Sequence, residues 1–164
     1  MTSSEPSSTD SASRASLGSA SGDAVAGVQT TLATEHAAVW AYRLVTAFLP
    51  SSSAEALSAG LVTHRAQRDG AERLVRDAGA TPVPAAPGYV GGATVTDEKS
   101  ALTLLVTVES DVATAWRGVL ERTDDRGLRR TALDALVGAA VRATAWRQQA
   151  GDVPASEALP GAKS

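Results

Sequence analysis

The chain has 164 residues, 43% hydrophobic and 20% charged, with a formal net charge of −3; this length favours one domain with a real core over a two-domain enzyme. With no cysteine, disulfides, thiolate zinc sites, iron–sulfur clusters and cysteine nucleophiles are excluded. No basic cluster exceeds Arg129-Arg130 and no apolar run approaches the ~20 residues of a membrane span, so neither nucleic acid nor a membrane is an expected partner and a soluble, cytoplasmic protein is expected.

Residues 1–22 are mostly Ser, Ala, Gly and Thr, with Leu17 the one large apolar side chain after Met1. Such a segment buries too little surface to offset its ordering entropy, and disorder is expected. A first helix is predicted from Asp23 to Leu49, stopped by Pro50, with the inward stripe Val25, Val28, Leu32, Glu35, Val39, Tyr42, Thr46 and Leu49. A second is predicted to start at the capping box Ser52-Ser53-Ala54-Glu55 and to end at Gly79, turning Leu57, Leu61, His64, Arg68, Ala71 and Val75 inward. The third runs from Thr96 or Asp97 to near Thr123, with Leu102, Leu105, Glu109, Val112, Trp116 and Leu120 on one face. After a turn at Asp124-Asp125 the fourth reaches about Gln149, its best apolar face being Leu133, Leu136, Val137, Ala140, Val141 and Thr144. Only Tyr89-Val90 has any strand character. Residues 23–150 thus form the bundle, and 151–164, with Pro154, Pro160 and Gly161, read as a tail docked in part through Val153 and Leu159.

Connection lengths select the topology. The first and third links are short and force antiparallel hairpins. The second, Ala80 to Val95, carries Pro82, Pro84, Pro87, Gly88, Gly91 and Gly92. At ~3.3 Å per extended residue it spans roughly 50 Å, against about 37 Å for a helix of about 25 residues. It is long enough to cross the bundle, leaving the second and third helices parallel, which is the arrangement of ferritin-like folds.

Each of the first three stripes is interrupted near its middle, by Glu35, by His64 with Arg68, and by Glu109. Counting from the hairpin turn places these groups at one height. Buried carboxylates must pair with cations, bind a metal or meet water, because an unpaired one costs several kcal/mol. The first reading is a buried network in which Arg68 and His64 neutralise Glu35 and Glu109. The alternative is a metal site in which Glu35, His64 and Glu109 hold one divalent ion such as iron or manganese. A di-metal centre of the four-helix carboxylate type is disfavoured, since it needs two Glu-x-x-His motifs and the chain has none. His36 and Glu72 flank the layer and either join it or form a solvated edge, and Arg142, opposite the best apolar face of its helix, reads as a surface residue with an inward reach as the alternative.

Other features carry smaller expectations. His64-Arg65-Ala66-Gln67-Arg68-Asp69 reads as a salt-bridged helix face more than a catalytic string. Trp40, Trp116 and Trp146 fill core or helix edges, unless Trp40 and Trp146 are exposed and form a partner surface. Gly60, Gly70, Gly118 and Gly138 lie inside helices and mark close crossings. Gly91-Gly92 lacks the strand and helix that a phosphate loop requires.

Thr34-Glu35-His36-Ala37-Ala38-Val39, His64-Arg65-Ala66-Gln67-Arg68-Asp69, Ala80-Thr81-Pro82-Val83-Pro84 and Ala140-Val141-Arg142-Ala143-Thr144-Ala145-Trp146-Arg147 carry a resemblance. Over residues 27 to 150 the chain is similar to an uncharacterised ferritin-like family, a domain of unknown function from high-GC bacteria. The resemblance implies an all-α, four-helix, ferritin-like bundle with a long crossover between its second and third helices. It implies no established reaction; the wider ferritin-like superfamily suggests iron oxidation or storage, and the missing Glu-x-x-His pairs break that pattern. The combined expectation is a bundle without catalysis or cofactor, a homodimer being its candidate assembly, with a metalloprotein and a protein-interaction module as rivals.

Overall fold

The computed structural model describes residues 22–89 and 94–162. The N-terminal segment expected to be disordered, Val90 and Gly91-Gly92 lie outside these residues, apart from Gly22, which is the first residue of a helix. Four helices make up the fold: α1 (Gly22–Val45), α2 (Ala54–Asp77), α3 (Glu98–Leu120) and α4 (Arg126–Ala150). A single 3-10 turn, Ser51–Ser53, precedes α2, and no strand occurs among the described residues.

Chain direction follows from the pairs that touch. Tyr42 meets Glu109 and Glu35 meets Trp116, so α1 and α3 are antiparallel. Glu35 meets His64 and Tyr42 packs on Gly60, so α1 and α2 are antiparallel as well. With both opposed to α1, α2 and α3 run parallel, as the long second link permits. That link is anchored at its start by the Gln29 amide, which donates from Nε2 to Thr81 O at 2.6 Å and accepts from Val83 N at 2.8 Å. The final pair, α3 and α4, is antiparallel, with Arg142 reaching Glu109 and Arg129 reaching Leu120 O.

Helix ends follow local chemistry. Asp97 caps α3 in a reciprocal box with Ser100, whose backbone N–H donates to Asp97 Oδ1 at 2.8 Å. Asp125 caps α4 by accepting from Leu128 N at 2.7 Å, and Gly151 ends it at φ 79. Gly79 closes α2 at φ 76. The expected Ser52–Glu55 capping box is absent: Ser53 occupies the N-cap with helical dihedrals and no side-chain cap bond, because the 3-10 turn already supplies the first backbone bonds. Its hydroxyl instead accepts from Gln149 Nε2, joining the start of α2 to the end of α4. Five residues before Pro50, α1 stops at Val45, where the chain tightens into a turn with Phe48 N bonded to Val45 O, and Leu49, preceding proline, is kept out of the helical region.

Two corrections concern faces. On α4 the buried positions are Leu128, Ala132, Ala135, Ala139, Ala143 and Trp146. Leu133, Val137 and Val141, expected inside, are exposed by 48%, 51% and 64%. Small side chains win the inner face because α4 packs closely on α3, so hydropathy alone points the wrong way. The tail is likewise held differently: Val153 and Leu159 are exposed, whereas Gly161 is buried and a Cβ there would fall 2.7 Å from Ala113 O. Inside the bundle the apolar core falls into two clusters. One is built around Val28, Leu32, Val75, Val112, Trp116 and Leu128, and the other around Tyr42, Val45, Leu57, Leu105 and Trp146.

Candidate functional site

Mid-helix ionisable groups meet where these two clusters join. Glu35, His64 and Glu109 stand on the inner faces of α1, α2 and α3, all fully buried. His64 Nδ1 lies 2.8 Å from Glu35 Oε2, and Nε2 lies 3.0 Å from Glu109 Oε1. Trp116 Nε1 donates to Glu35 Oε1 at 2.8 Å, so both oxygens of Glu35 are satisfied. Glu109 Oε1 also accepts from the Tyr42 hydroxyl and, at 2.8 Å, from Arg142 Nε. Trp146 Nε1 donates to Tyr42 Oη at 3.0 Å. A continuous hydrogen-bonded chain therefore runs from Trp116 through Glu35, His64, Glu109 and Tyr42 to Trp146.

The charge state follows from the donor inventory. An ionised carboxylate only accepts, and a neutral imidazole has one N–H, so His64 satisfies both partners when it carries two protons. Burial by itself pushes His64 toward the neutral form, but the hydrogen bonds from its ring to Glu109 and Glu35, with their charges, outweigh burial and raise its pKa. Burial likewise opposes ionisation of Glu109, and the bonds from His64 and Arg142 overcome it, holding its pKa below the usual carboxylate value. The Tyr42 phenol is pushed up by burial and by the adjacent Glu109 charge, so it stays a donor. Two carboxylates then face one imidazolium and one guanidinium, and the layer sums to zero.

Of the residues the sequence singled out, Glu35, His64 and Glu109 come together and Arg68 does not. The Arg68 guanidinium turns outward to its neighbour Asp69, with Nε and Nη2 at 2.9 and 2.7 Å from Oδ1. Although expected on the inward stripe, Arg68 is only partly buried, and its long stem lets the charged head leave the core. Arg142, expected at the surface, takes the role assigned to Arg68. Its position beside Ala139 and Ala143, on the face α4 presents to α3, was hidden by the misassigned face. His36 stands 4.0 Å from Glu72 at the edge and neither residue joins the layer. Trp146 is buried, so the proposed Trp40–Trp146 surface does not exist; Trp40 packs at 5.8 Å from the Tyr89 ring. Trp116 and Tyr42 bond carboxylates and Trp146 bonds the Tyr42 hydroxyl, roles beyond filling that the sequence signals only in that buried phenol and indole groups need acceptors.

The three acidic and imidazole groups do not fit a metal. Ligands must converge on one point, whereas the two nitrogens of the single ring point apart, each to a carboxylate from a different helix. Indole, phenol and guanidinium donors take the remaining directions on Glu35 and on Glu109 Oε1. Among the described residues, no group of three or more His, Asp or Glu side chains is arranged to hold an ion.

Comparison with known proteins places the chain among relatives without assigned chemistry. A family model described as "Domain of unknown function (DUF4439)" matches residues 27–164. The fold is similar to that in a crystal structure of a conserved hypothetical protein, rv2844, from Mycobacterium tuberculosis. That match has TM-score 0.76 and 35% identity, and it covers 79% of this chain and 98% of that one. No curated protein matches.

Proposed function

Because the chain belongs to the DUF4439 family, described only as a domain of unknown function, we propose on its core chemistry that it is a non-catalytic, ferritin-like bundle. In this reading the Glu35–His64–Glu109–Arg142 network stands in place of a di-metal site. One observation carries the reading: both ring nitrogens of His64 are engaged by carboxylates of different helices. Protonated on both nitrogens, as its two carboxylate partners favour, the ring has no lone pair to offer an ion, and Arg142 adds fixed positive charge to Glu109. The parallel pair α2 and α3 with its crossover supports the ferritin-like assignment. Buried, charge-balanced networks add little net stability over apolar packing but penalise every arrangement that separates their members. The network's role is therefore to fix the register of the four helices.

Metal analysis after incubation with iron, manganese or zinc tests this. The expectation is substoichiometric metal and an unchanged melting temperature. Stoichiometric binding that disappears in Glu35→Ala would overturn the reading in favour of a single-ion metalloprotein.

The exposed row Leu133, Val137 and Val141 on α4 supports a homodimer built on that face. Sedimentation tests it: a dimer converted to monomer by Val137→Lys is expected, and a wild-type monomer at all concentrations would end it.

A further inference from the structure

Glu109 is unevenly served. Its Oε1 accepts three hydrogen bonds, while no protein group bonds Oε2, although the residue is fully buried. Glu109 also lines a cavity of about 20 Å³ in the crevice between α3 and α4. Ser110 and Thr144 contribute hydroxyls to the same cavity, and Arg147, Glu157 and Pro160 border it.

Size, polarity and charge narrow the occupant. A space above about 10–15 Å³ holds one water molecule, and an internal water needs two to four polar partners. Ser110 Oγ accepts from Arg147 Nη2 and keeps its own proton to give; Thr144 Oγ1 donates to Ala140 O and keeps lone pairs to receive. With Oε2 these make a donor and two acceptors. The layer is already neutral and at the rim Arg147 is balanced by Glu157, so neither a cation nor an anion finds an uncompensated charge to meet. The neutral hydrogen-bond donor with a single heavy atom that remains is water.

The C-terminal tail covers this crevice. Arg147 Nη2 pairs with Glu157, and Gly161, buried at φ 74, lies against the Ala113 carbonyl. We propose that the cavity is a hydration site whose single water donates to Glu109 Oε2, and that it is the route by which the buried network exchanges protons with solvent beneath the tail. The argument is independent of whether the bundle has an activity, since it rests on one unpaired oxygen and on a cavity that the same residue lines.

Two measurements on the full chain test it. A crystal structure fine enough to show ordered water is expected to hold one within hydrogen-bond reach of Oε2; a dry cavity, or a side chain turned in to bond Oε2, would overturn the site. Exchange of the His64 ring protons with water, followed by nitrogen-15 NMR, tests the route. Gly161→Ala pushes the tail off Ala113 and is expected to speed exchange by about tenfold relative to Gly88→Ala, whose added Cβ meets no atom within 4 Å. Equal rates would overturn the route. Should Gly161→Ala not fold, Glu157→Gln loosens the same segment from its exposed side and must speed exchange in the same direction.

Discussion

Arg142 on α4 donates from Nε to Glu109 Oε1 at 2.8 Å and is the one guanidinium bonded to a fully buried carboxylate of the core layer among the described residues. Removing one partner of such a pair strands the other. Arg142→Met is expected to destabilise by about 3 kcal/mol, at the lower end for buried pairs because a fifth of the Arg142 side chain is exposed. Arg68→Met, which breaks a surface contact with Asp69, should cost less than about 0.5 kcal/mol. Urea unfolding of the two variants checks the contrast, and equal losses would remove the distinction between them.

Stability should peak in mildly acidic solution. The pKa of His64 is raised from 6.5, so the stability it contributes is fully present below pH 6.5 and is lost as pH rises through the folded value. Glu109 is lowered from 4.5, so its contribution is present above pH 4.5 and is lost as pH falls through the folded value. Both act together between 4.5 and 6.5. Urea midpoints measured across pH should fall on both sides of this window, and His64→Gln should flatten the alkaline limb. An unchanged alkaline limb in that variant would show that His64 is not the group responsible.

Gly60 on α2 faces the Tyr42 ring so closely that a Cβ would lie 2.3 Å from Cε1. The phenol is fixed by Glu109 and Trp146 and cannot move aside without breaking those bonds. Gly60→Ala should therefore cost about 3 kcal/mol, the upper range for overpacking. In a Tyr42→Leu background the same substitution should cost much less, and a double-mutant cycle reads the difference directly. Additive losses would mean that the two residues do not collide.

Asp125 supplies the N-terminal side-chain cap of α4, through Leu128 N at 2.7 Å. Asp125→Ala should lower stability by about 1 kcal/mol, and Asp125→Asn by less. Thermal melts of the pair are sufficient, and a neutral alanine variant would show that water replaces the carboxylate there.

Legibility in the sequence followed the strength of the local signal. Proline and glycine punctuation, with link length, was enough for four helices and for parallel α2 and α3. Periodicity placed Glu35, His64 and Glu109 inward because large apolar neighbours flank each of them on the same stripe. On α4 the same method failed, since Ala132, Ala135, Ala139 and Ala143 score below Leu133, Val137 and Val141, and close approach to α3 is a tertiary demand that hydropathy does not encode. Arg142 was lost with that face. Arg68 differs for another reason: helical spacing fixes where its Cα lies but not where a long side chain carries its charge, and Asp69 offers an outward partner.

The Gln29 clamp on Thr81 and Val83 has a kinetic and evolutionary consequence. By pinning the chain to the first turns of α1 just after α2 ends, it shortens the effective loop that must close before α3 can find its place. The entropy of closure then belongs to the span beyond Val83, and it rises only about 0.6 kcal/mol for each doubling of that span. Residues added beyond Tyr89 would burden folding little, whereas replacing Gln29 would return the entire crossover to the search.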